Sequence, residues 1–303
     1  MFAALALAGC DLQRFIMREA VASQGDYFQT HPSTRTALTR LTEKVWTYND
    51  GFDRALIVDT DEGLVVVDSF SAHLVHGLKA ALARAGLSKP VHTLIYTHFH
   101  LDHVGGGAEL SPANVIAHEK CPGYWKDFDA REILAPTRLI GGDAELTVGR
   151  VTFRLVYLGP SHTDTMYAVF VPSEGVLYSA DTVGVHVFLP VGGVALYTPG
   201  YFRALDRMAQ LDFSIFVGSH FGWGTKQDFL EAAQLQRDIR GTVRAAIKEH
   251  SGEIAAHVDG HRAVAIFDDF YDTLKAKYGN WYGFDSQVLA SFINAYVGEF
   301  VGN

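Results

Sequence analysis

The sequence predicts an α/β fold in which two β-sheets pack face to face and helices cover their outer sides. Short β-rich segments alternate with helical segments in two successive halves of the chain. Hydrophobic residues make up 48% and charged residues 19% of the 303 residues, which is an ordinary globular composition. A chain of this length buries roughly three quarters of its unfolded surface and needs no disulfide framework. Two sheets between helices is a layered arrangement that buries both kinds of element.

The first half contains five predicted strands and one predicted helix. The helix covers Ala72–Ala85, where apolar residues recur at helical spacing, and it ends at Gly86. The strands are β-rich runs bounded by turn residues. They cover Lys44–Tyr48, Ala55–Asp59, Leu64–Asp68, His92–Thr97 and Asn114–Ala117.

The second half repeats this pattern with five more strands and two helices. The predicted helices, Phe202–Leu211 and Lys226–His250, lie on either side of the last strand. The strands cover Glu145–Val148, Thr152–Leu158, Tyr167–Val171, Val176–Ser179 and Ser214–Gly218.

These elements divide the chain into four predicted segments. Residues 41–250 form the main α/β domain, and a lead-in at 11–40 precedes it. The tail at 251–303 is rich in Phe, Tyr and Trp, which predicts a helical extension packed on the main domain. Residues 1–10 form a short apolar run of their own.

The apolar run ends in Leu7-Ala8-Gly9-Cys10, which resembles the lipobox of bacterial lipoproteins, where the signal is cleaved before the cysteine and the cysteine is acylated. The run lacks the positively charged start of a secretory signal. The alternative is an apolar helix start with Cys10 as a small buried residue. The resemblance favours a lipid anchor at Cys10, and a periplasmic or membrane-anchored location over a cytoplasmic one.

Charge and cysteine content exclude two classes of protein. The net charge of −9 disfavours nucleic acid as a partner, because nucleic-acid binding requires a basic surface. The two cysteines, Cys10 and Cys121, provide neither a disulfide framework nor a C-x-x-C pair. The expected partner is a small molecule, and the sequence predicts no particular oligomeric state.

The most informative segment is Thr97-His98-Phe99-His100-Leu101-Asp102-His103, which follows a predicted strand. Because side chains alternate along an extended chain, His98 and His100 can point to the same side. Asp102 and His103 lie on the following turn and can face a second centre. Imidazole and carboxylate groups suit zinc, and also iron or manganese. The segment therefore predicts a metal site.

This H-x-H-x-D-H motif resembles that of the metallo-β-lactamase fold superfamily, and the resemblance covers roughly residues 40–250. Three later positions match the ligand types of that superfamily, each after a predicted strand. They are His162 after Leu158-Gly159-Pro160-Ser161, Asp181 after Tyr178-Ser179-Ala180 and His220 after Gly218-Ser219. The resemblance implies a four-layer αββα sandwich with a helical C-terminal extension, in which residues 41–250 form the catalytic domain.

The resemblance also implies two divalent metal ions, with zinc as the expected element and iron or manganese as the alternatives. The first metal site corresponds to His98, His100 and His162. The second corresponds to Asp102, His103 and His220. Asp181 corresponds to the carboxylate that bridges the two ions, and Asp102 and Asp181 are the implied catalytic residues.

The implied bridging aspartate, Asp181, indicates which branch of the superfamily the chain resembles. Class B1 and B2 lactamases use a cysteine ligand and class B3 lactamases lack the bridging aspartate, so Asp181 separates this chain from all three. It resembles instead glyoxalase II and the acyl-homoserine-lactone lactonases. Gly184 stands where a lactonase often carries a tyrosine.

Five further residues are predicted around the metal ligands. Asp68 ends the run Val65-Val66-Val67 and resembles a position that orients a ligand histidine, with a strand-end turn residue as the alternative. The loop 185–197 contains no Lys, Arg, Asp or Glu and is predicted to line an apolar substrate pocket, unless it is simply core. The predicted pocket residues are His186, Phe188, Tyr197 and Trp223.

The predicted function is that of a metal-dependent hydrolase. Two ions a few ångströms apart produce a metal-bridged hydroxide that can attack the carbonyl of an ester, thioester, lactone or amide. The apolar loop predicts an apolar acyl group or ring in the substrate. Two alternatives remain: a mononuclear iron enzyme acting on sulfur compounds, like the persulfide dioxygenases, and a non-catalytic binding or sensor module on the same scaffold.

Overall fold

The structure is a computed structural model that describes residues 35–130, 132–189, 197–250 and 260–301, together with Arg18, Thr30, His31 and Ser33. The predicted lipobox segment at 1–10, with Cys10, and most of the predicted lead-in at 11–40 lie outside the described residues. So do residues 190–196 of the predicted pocket loop and residues 251–259.

The first sheet has seven strands in the order in which they occur along the chain. The first four strands pair antiparallel, and the strands from the fourth onward pair parallel. They are β1 (Ala37–Arg40), β2 (Val45–Asp50), β3 (Asp53–Thr60), β4 (Gly63–Val67), β5 (Val91–Ile95), β6 (Asn114–His118) and β7 (Arg138–Ile140).

The second sheet has six strands in the order β13-β12-β11-β10-β9-β8. Only β11 and β12 pair parallel, because an α-helix connects them. The strands are β8 (Ala144–Val148), β9 (Val151–Tyr157), β10 (Tyr167–Val171), β11 (Val176–Ser179), β12 (Ile215–Gly218) and β13 (Trp223–Thr225).

Side chains from both sheets meet in a shared core. Val65, Val67 and Ile95 of the first sheet pack in one buried cluster with Val169 and Tyr178 of the second. Every residue of β4 and of β10 is buried, because each of these strands is covered on both faces. This core joins the two inner layers of the fold.

Helices form the two outer layers. They are α1 (Ala72–Arg84), α2 (Leu101–Val104), α3 (Gly107–Leu110), α4 (Cys121–Asp127), α5 (Thr198–Ala209), α6 (Lys226–His250), α7 (Gly260–Tyr278) and α8 (Phe284–Val301). The first four lie in the first half of the chain, and α1 buries Leu74, Val75 and Leu78 in the first outer cluster. The last four pack their buried residues with those of the second sheet. The predicted αββα sandwich is therefore confirmed.

Three short strands were missing from the sequence prediction. β1 and β7 are largely exposed, so neither shows the apolar alternation of a half-buried strand. β13 has only three residues, one of them Gly224. The helix predicted at Phe202–Leu211 covers Thr198–Ala209 in the structure. Pro199 lies in its first turn, where proline is tolerated because the backbone N–H has no partner within the helix. Among the described residues, none of the helices combines the length and apolar character needed to cross a membrane.

A cluster of ion pairs joins α8 to α6. Arg240 Nε donates to Glu299 Oε1 over 2.8 Å, and Arg244 Nε donates to Glu299 Oε2 over 2.6 Å. Burial alone raises the pKa of Glu299, but the hydrogen bonds and charges of the two arginines hold it below its usual range. The ionised carboxylate therefore stabilises the packing of α8.

Replacing Glu299 by Gln is expected to lower the free energy of unfolding by about 1–2 kcal/mol at pH 7, because two charge-assisted hydrogen bonds are lost. Since the folded pKa is depressed, the contribution is complete above the unfolded value of about 4.3 and is lost as pH falls through the folded value. Urea unfolding of both proteins should show a difference that is constant from pH 7 to about pH 5 and narrows as the pH falls below about 4. The exposed Glu43→Gln control should show no such difference, and a gap that is independent of pH would contradict the assignment.

Candidate metal centre

The predicted metal ligands meet at one edge of the sandwich. They follow β5, β11 and β12, and His162 lies in the turn between β9 and β10. The parallel pairs β4–β5 and β11–β12 bring the carboxyl ends of their strands to the same edge. The fold thus brings together side chains that are up to 122 positions apart in the sequence, from His98 to His220.

The first group contains His98, His100, His162 and Asp181, whose ligand atoms all lie within 4.8 Å of one another. His162 Nε2 lies 3.0 Å from His100 Nδ1. Asp181 Oδ2 lies 3.4 Å from His98 Nε2 and 3.3 Å from His162 Nε2. This group includes the three residues predicted for the first metal site and the predicted bridging carboxylate.

The second group contains Asp102, His103 and His220, also within 4.8 Å of one another. His103 Nε2 lies 3.6 Å from Asp102 Oδ2. Asp181 reaches this group as well, with Oδ2 3.1 Å from His103 Nε2 and Oδ1 3.0 Å from His220 Nε2. Asp181 therefore contacts both groups, as a bridging carboxylate would.

The donor set fits divalent metal ions. Nε2 of His98 and Nε2 of His103 are buried and make no hydrogen bond of acceptable geometry, although each lies within 3.4 Å of Asp181 Oδ2. Buried polar atoms of this kind are rarely left without a partner. A metal ion between the imidazole nitrogens and the carboxylate would supply that partner.

The protonation states of His98, His100 and Asp181 suit metal binding. Burial lowers the pKa of His98 to about 4, helped by the nearby His103. Burial, then His98 and His162, lowers the pKa of His100 to about 3. Both rings are therefore neutral at pH 7, and metal ions bind the neutral imidazole. Burial alone raises the pKa of Asp181, but the charges of His103 and His220 hold it well below its usual range, so its carboxylate is ionised.

Asp68 contacts the Nδ1 side of the His103 ring, opposite the Nε2 atom that faces Asp181. Its carboxylate is fully buried, and His103 Nδ1 lies 3.0 Å from Oδ2. Oδ1 accepts a hydrogen bond from the backbone N–H of Thr97 over 2.9 Å. Oδ2 also accepts from the hydroxyls of Thr97 (2.9 Å) and Tyr178 (3.2 Å). The orienting role of Asp68 stays a prediction, and its contacts with Thr97 and Tyr178 were not predicted from the sequence.

A close backbone approach holds the second-group loop in place. The backbone N–H groups of Ser69 and Phe70 both donate to His103 O over 2.9 Å. A Cβ atom at Gly106 would lie only 2.5 Å from Ser69 O, so only glycine fits there. The glycine run after His103 therefore allows the loop to lie against the end of β4, where Asp68 is located.

Two residues that sequence reasoning missed position the last ligands. Ser219 Oγ donates to Asp181 Oδ1 over 2.9 Å and accepts from the Asp181 backbone N–H over 3.2 Å. Phe52 stacks on the ring of His220 with centroids 3.9 Å apart, and its carbonyl lies 3.2 Å from His220 Nδ1. Phe52 lies in the β2–β3 hairpin, and nothing in the local sequence connects it with a histidine so far along the chain.

Comparison with known proteins identifies the family. The sequence model described as the metallo-beta-lactamase superfamily matches residues 49–220. The chain belongs to the metallo-beta-lactamase superfamily. It is 31% identical over 255 residues to 2,4-dinitroanisole O-demethylase subunit alpha of Nocardioides sp., a match that covers 83% of this chain and 73% of that protein.

Other members of the superfamily match less of the chain or match only in fold. Hydroxyacylglutathione hydrolase of Idiomarina loihiensis is 35% identical over 99 residues, which is 32% of this chain and 34% of that protein. The solved structure of a metallo-beta-lactamase from Pontibacter korlensis superposes with a TM-score of 0.58 at 21% identity, covering 67% of this chain and 99% of that one. The chain therefore combines the metallo-beta-lactamase fold with a cluster of His and Asp side chains that could hold a metal ion.

The four predicted pocket residues of this superfamily member lie in different surroundings. Phe188 has no exposed surface and packs edge-on against Phe284 of α8, so it is a core residue and not part of a pocket wall. Tyr197 is partly exposed, and its backbone N–H donates to Ser161 O beside His162. Its place at a pocket rim stays a prediction.

The other two predicted pocket residues lie away from the ligand groups. His186 is exposed and lies 3.1 Å from Asp228 Oδ1 and 3.6 Å from Glu231 Oε2 of α6. Trp223, in β13, is also exposed. Both line one cavity, which lies beside the N-terminal strands of the first sheet. None of the seven predicted metal-ligating residues is in the described lining of that cavity.

Three aromatic side chains, which we call the aromatic platform, adjoin the first ligand group. Phe99 stacks on Tyr124 with centroids 4.1 Å apart, and on Phe128 at 6.2 Å. The edge of Phe99 contacts the ring of His100, with centroids 4.7 Å apart. Phe128 is 60% exposed, which is unusual for a phenylalanine, so the platform is open to a ligand beside His100.

Proposed function

We propose that this protein is a metal-dependent hydrolase that holds two divalent metal ions and cleaves an ester, thioester, lactone or amide of an apolar small molecule. The observation that carries the proposal is the position of Asp181. Its two carboxylate oxygens lie within 3.4 Å of four histidines that belong to two ligand groups. A carboxylate between two sets of imidazoles is the arrangement that a pair of metal ions requires.

The chain's own residues would hold and orient the reacting groups. His98, His100 and His162 would hold one ion, Asp102, His103 and His220 the other, and Asp181 both. When bound, such a pair of ions activates water for attack on a carbonyl and stabilises the developing negative charge. Asp102 is the most exposed of the seven ligand-type side chains, at 64%, so its carboxylate is accessible to accept a proton from the attacking water.

The aromatic platform supports an apolar substrate with a ring. Stacked or edge-on aromatic pairs contribute about 0.5–1.5 kcal/mol beyond burial alone. A substrate ring placed on Phe128 and Phe99 would lie next to His100, at the edge of the first ligand group. Tyr197, beside the His162 loop, would bound the same region.

A second candidate reaction is removal of a methyl group from an aryl ether. The 31% identity over 255 residues with a protein named 2,4-dinitroanisole O-demethylase subunit alpha favours it. The aromatic platform suits an aryl substrate of either kind, so the two candidates differ in the bond broken and not in the ring recognised.

The metal content tests the binuclear proposal. Protein purified without added metal is expected to contain close to two divalent ions per chain by elemental analysis, with zinc as the expected element. Strong chelators should abolish hydrolysis, and zinc should restore it. One tightly held iron, with oxidation of sulfur compounds restored by iron alone, would favour the mononuclear iron alternative. Full metal content without any turnover would favour a binding or sensor module.

A substrate panel tests the apolar-ring proposal. Rates on aryl and acyl esters, thioesters and lactones are expected to exceed those on a phosphodiester or a short anionic thioester, and anisoles test the second candidate. Phe128→Ala should raise KM for aryl substrates by about 2- to 10-fold, the equivalent of one lost aromatic contact. The exposed Leu289→Ala control in α8 should leave KM unchanged. Equal KM values for Phe128→Ala and the original protein would remove the platform from the substrate site.

A further inference from the structure

The cavity that His186 and Trp223 line has a volume of about 440 Å³. It lies between the first strands of the first sheet and the loops that follow Asp181 and His220. Besides His186, its described lining contains one histidine and two arginines, which are His31, Arg35 and Arg54. The described lining contains no carboxylate.

Arg54 is the unusual member of this lining. The residue is only 4% exposed, yet no carboxylate among the described residues pairs with its guanidinium. Nη2 donates to Ser33 O over 3.2 Å, and Nη1 lies 3.5 Å from Thr47 Oγ1, at the limit of a hydrogen bond. Nε is buried without any hydrogen-bond partner. Buried charges in proteins are normally paired, so Arg54 lacks the anion that its burial calls for.

The electrostatics agree with the geometry. Burial lowers the pKa of Arg54 to about 10, which leaves the guanidinium charged at pH 7. Burial, followed by the charge of Arg54, lowers the pKa of His31. The carboxylates of Asp228 and Glu231 hold His186 from the side of α6 and are not part of the described lining. The described lining therefore carries positive charge from Arg35 and Arg54 and no negative charge.

We propose that this cavity is a binding site for an organic carboxylate, with Arg54 as the residue that binds the carboxylate group. The planar guanidinium matches the two oxygens of a carboxylate. The volume lies in the usual range for small-molecule sites and exceeds what a lone inorganic anion fills. Val185, Phe221 and Trp223 add apolar walls, which suit a flat hydrocarbon body attached to the acid.

The site is distinct from the metal centre. None of the seven metal-ligand residues is in its described lining. The proposal therefore goes beyond the hydrolase function and does not depend on the metal ions. Loss of carboxylate binding with intact metal content, or the reverse, would separate the two proposals.

Thermal shift and calorimetric titration of the metal-loaded full chain test the proposal, with sodium benzoate as the probe. Benzoate is expected to raise Tm saturably, whereas uncharged benzamide and sodium chloride of equal ionic strength should not. Arg54→Met, which fills similar space without the charge, should raise the Kd for benzoate at least tenfold and leave the metal content unchanged. Arg150→Met, an exposed arginine paired with Asp61, should bind benzoate as the original protein does.

Several results would overturn the site. The first is the absence of benzoate binding. The second is an equal affinity for benzoate in Arg54→Met and the original protein, which would place benzoate elsewhere. The third is phosphate binding as tight as that of benzoate, which would indicate a site for inorganic anions. If Arg54→Met does not fold, Ala37→Trp replaces it as the decisive variant. Ala37 is exposed on β1 at the cavity lining, so its enlargement should obstruct the cavity and weaken benzoate binding. Unchanged affinity in that variant would equally contradict the proposal.

Discussion

Replacing Asp181 by alanine is expected to lower kcat/KM by about 10³-fold or more, equivalent to roughly 4 kcal/mol of transition-state stabilisation. The variant loses the one carboxylate that contacts His98, His103, His162 and His220 together. It also leaves the rings without the negative charge that balances bound cations. We therefore expect the metal content, measured by elemental analysis on the same preparation, to fall together with the activity.

An exposed carboxylate provides the matched control. Asp61 pairs with Arg150 at the surface, so Asp61→Ala should retain full metal content and activity. A protein with Asp181→Ala that kept two metal ions and more than a tenth of the activity would show that Asp181 does not bridge the centre. Circular dichroism of both variants would confirm that the comparison is between folded proteins.

Replacing Asp68 by alanine is expected to affect stability and metal binding together. Thr97 would lose the buried acceptor of its backbone N–H and hydroxyl, Tyr178 would keep only Arg54 O as an acceptor, and His103 would lose the carboxylate beside Nδ1. Breaking a buried pair in this way typically costs about 3–5 kcal/mol of folding free energy. Removing a carboxylate that orients a ligand histidine typically lowers metal affinity by about 10- to 100-fold.

The backbone at Asp68 adds to the cost and suggests the control. Its φ of 57° is in the left-handed region, which aspartate and asparagine tolerate better than alanine does. Asp68→Asn should therefore recover part of the folding free energy, measured by urea unfolding, while metal affinity stays reduced because the negative charge beside His103 is absent. If Asp68→Asn bound metal as tightly as the original protein, the charge of Asp68 would have no part in holding the centre.

Local patterns in the sequence carried the prediction of the fold class, and the resemblance to the superfamily completed the set of predicted ligands. Long apolar strands such as β4 and β10 are buried on both faces, so their composition alone identified them. The exposed or very short strands β1, β7 and β13 gave no such signal, because pairing and not burial defines them. The histidine-rich segment His98–His103 was recognisable from its own composition, whereas His162, Asp181 and His220 were recognisable because each follows a predicted strand, as the resemblance to the superfamily implies.

The sequence by itself determined a two-sheet α/β architecture with outer helices and a metal-binding segment at His98–His103, because both depend on short-range composition and spacing, and the resemblance to the superfamily added His162, Asp181 and His220. Only the tertiary structure decided which distant side chains meet. Phe188 lies in the core because α8, almost a hundred residues later, covers it. Phe99, Tyr124 and Phe128 form a platform only because α4 folds back beside the histidine loop. In the sequence, Arg54 is an ordinary strand residue; the packing of both sheets buries its guanidinium with no carboxylate partner among the described residues, because burial and pairing depend on contacts that span the whole chain.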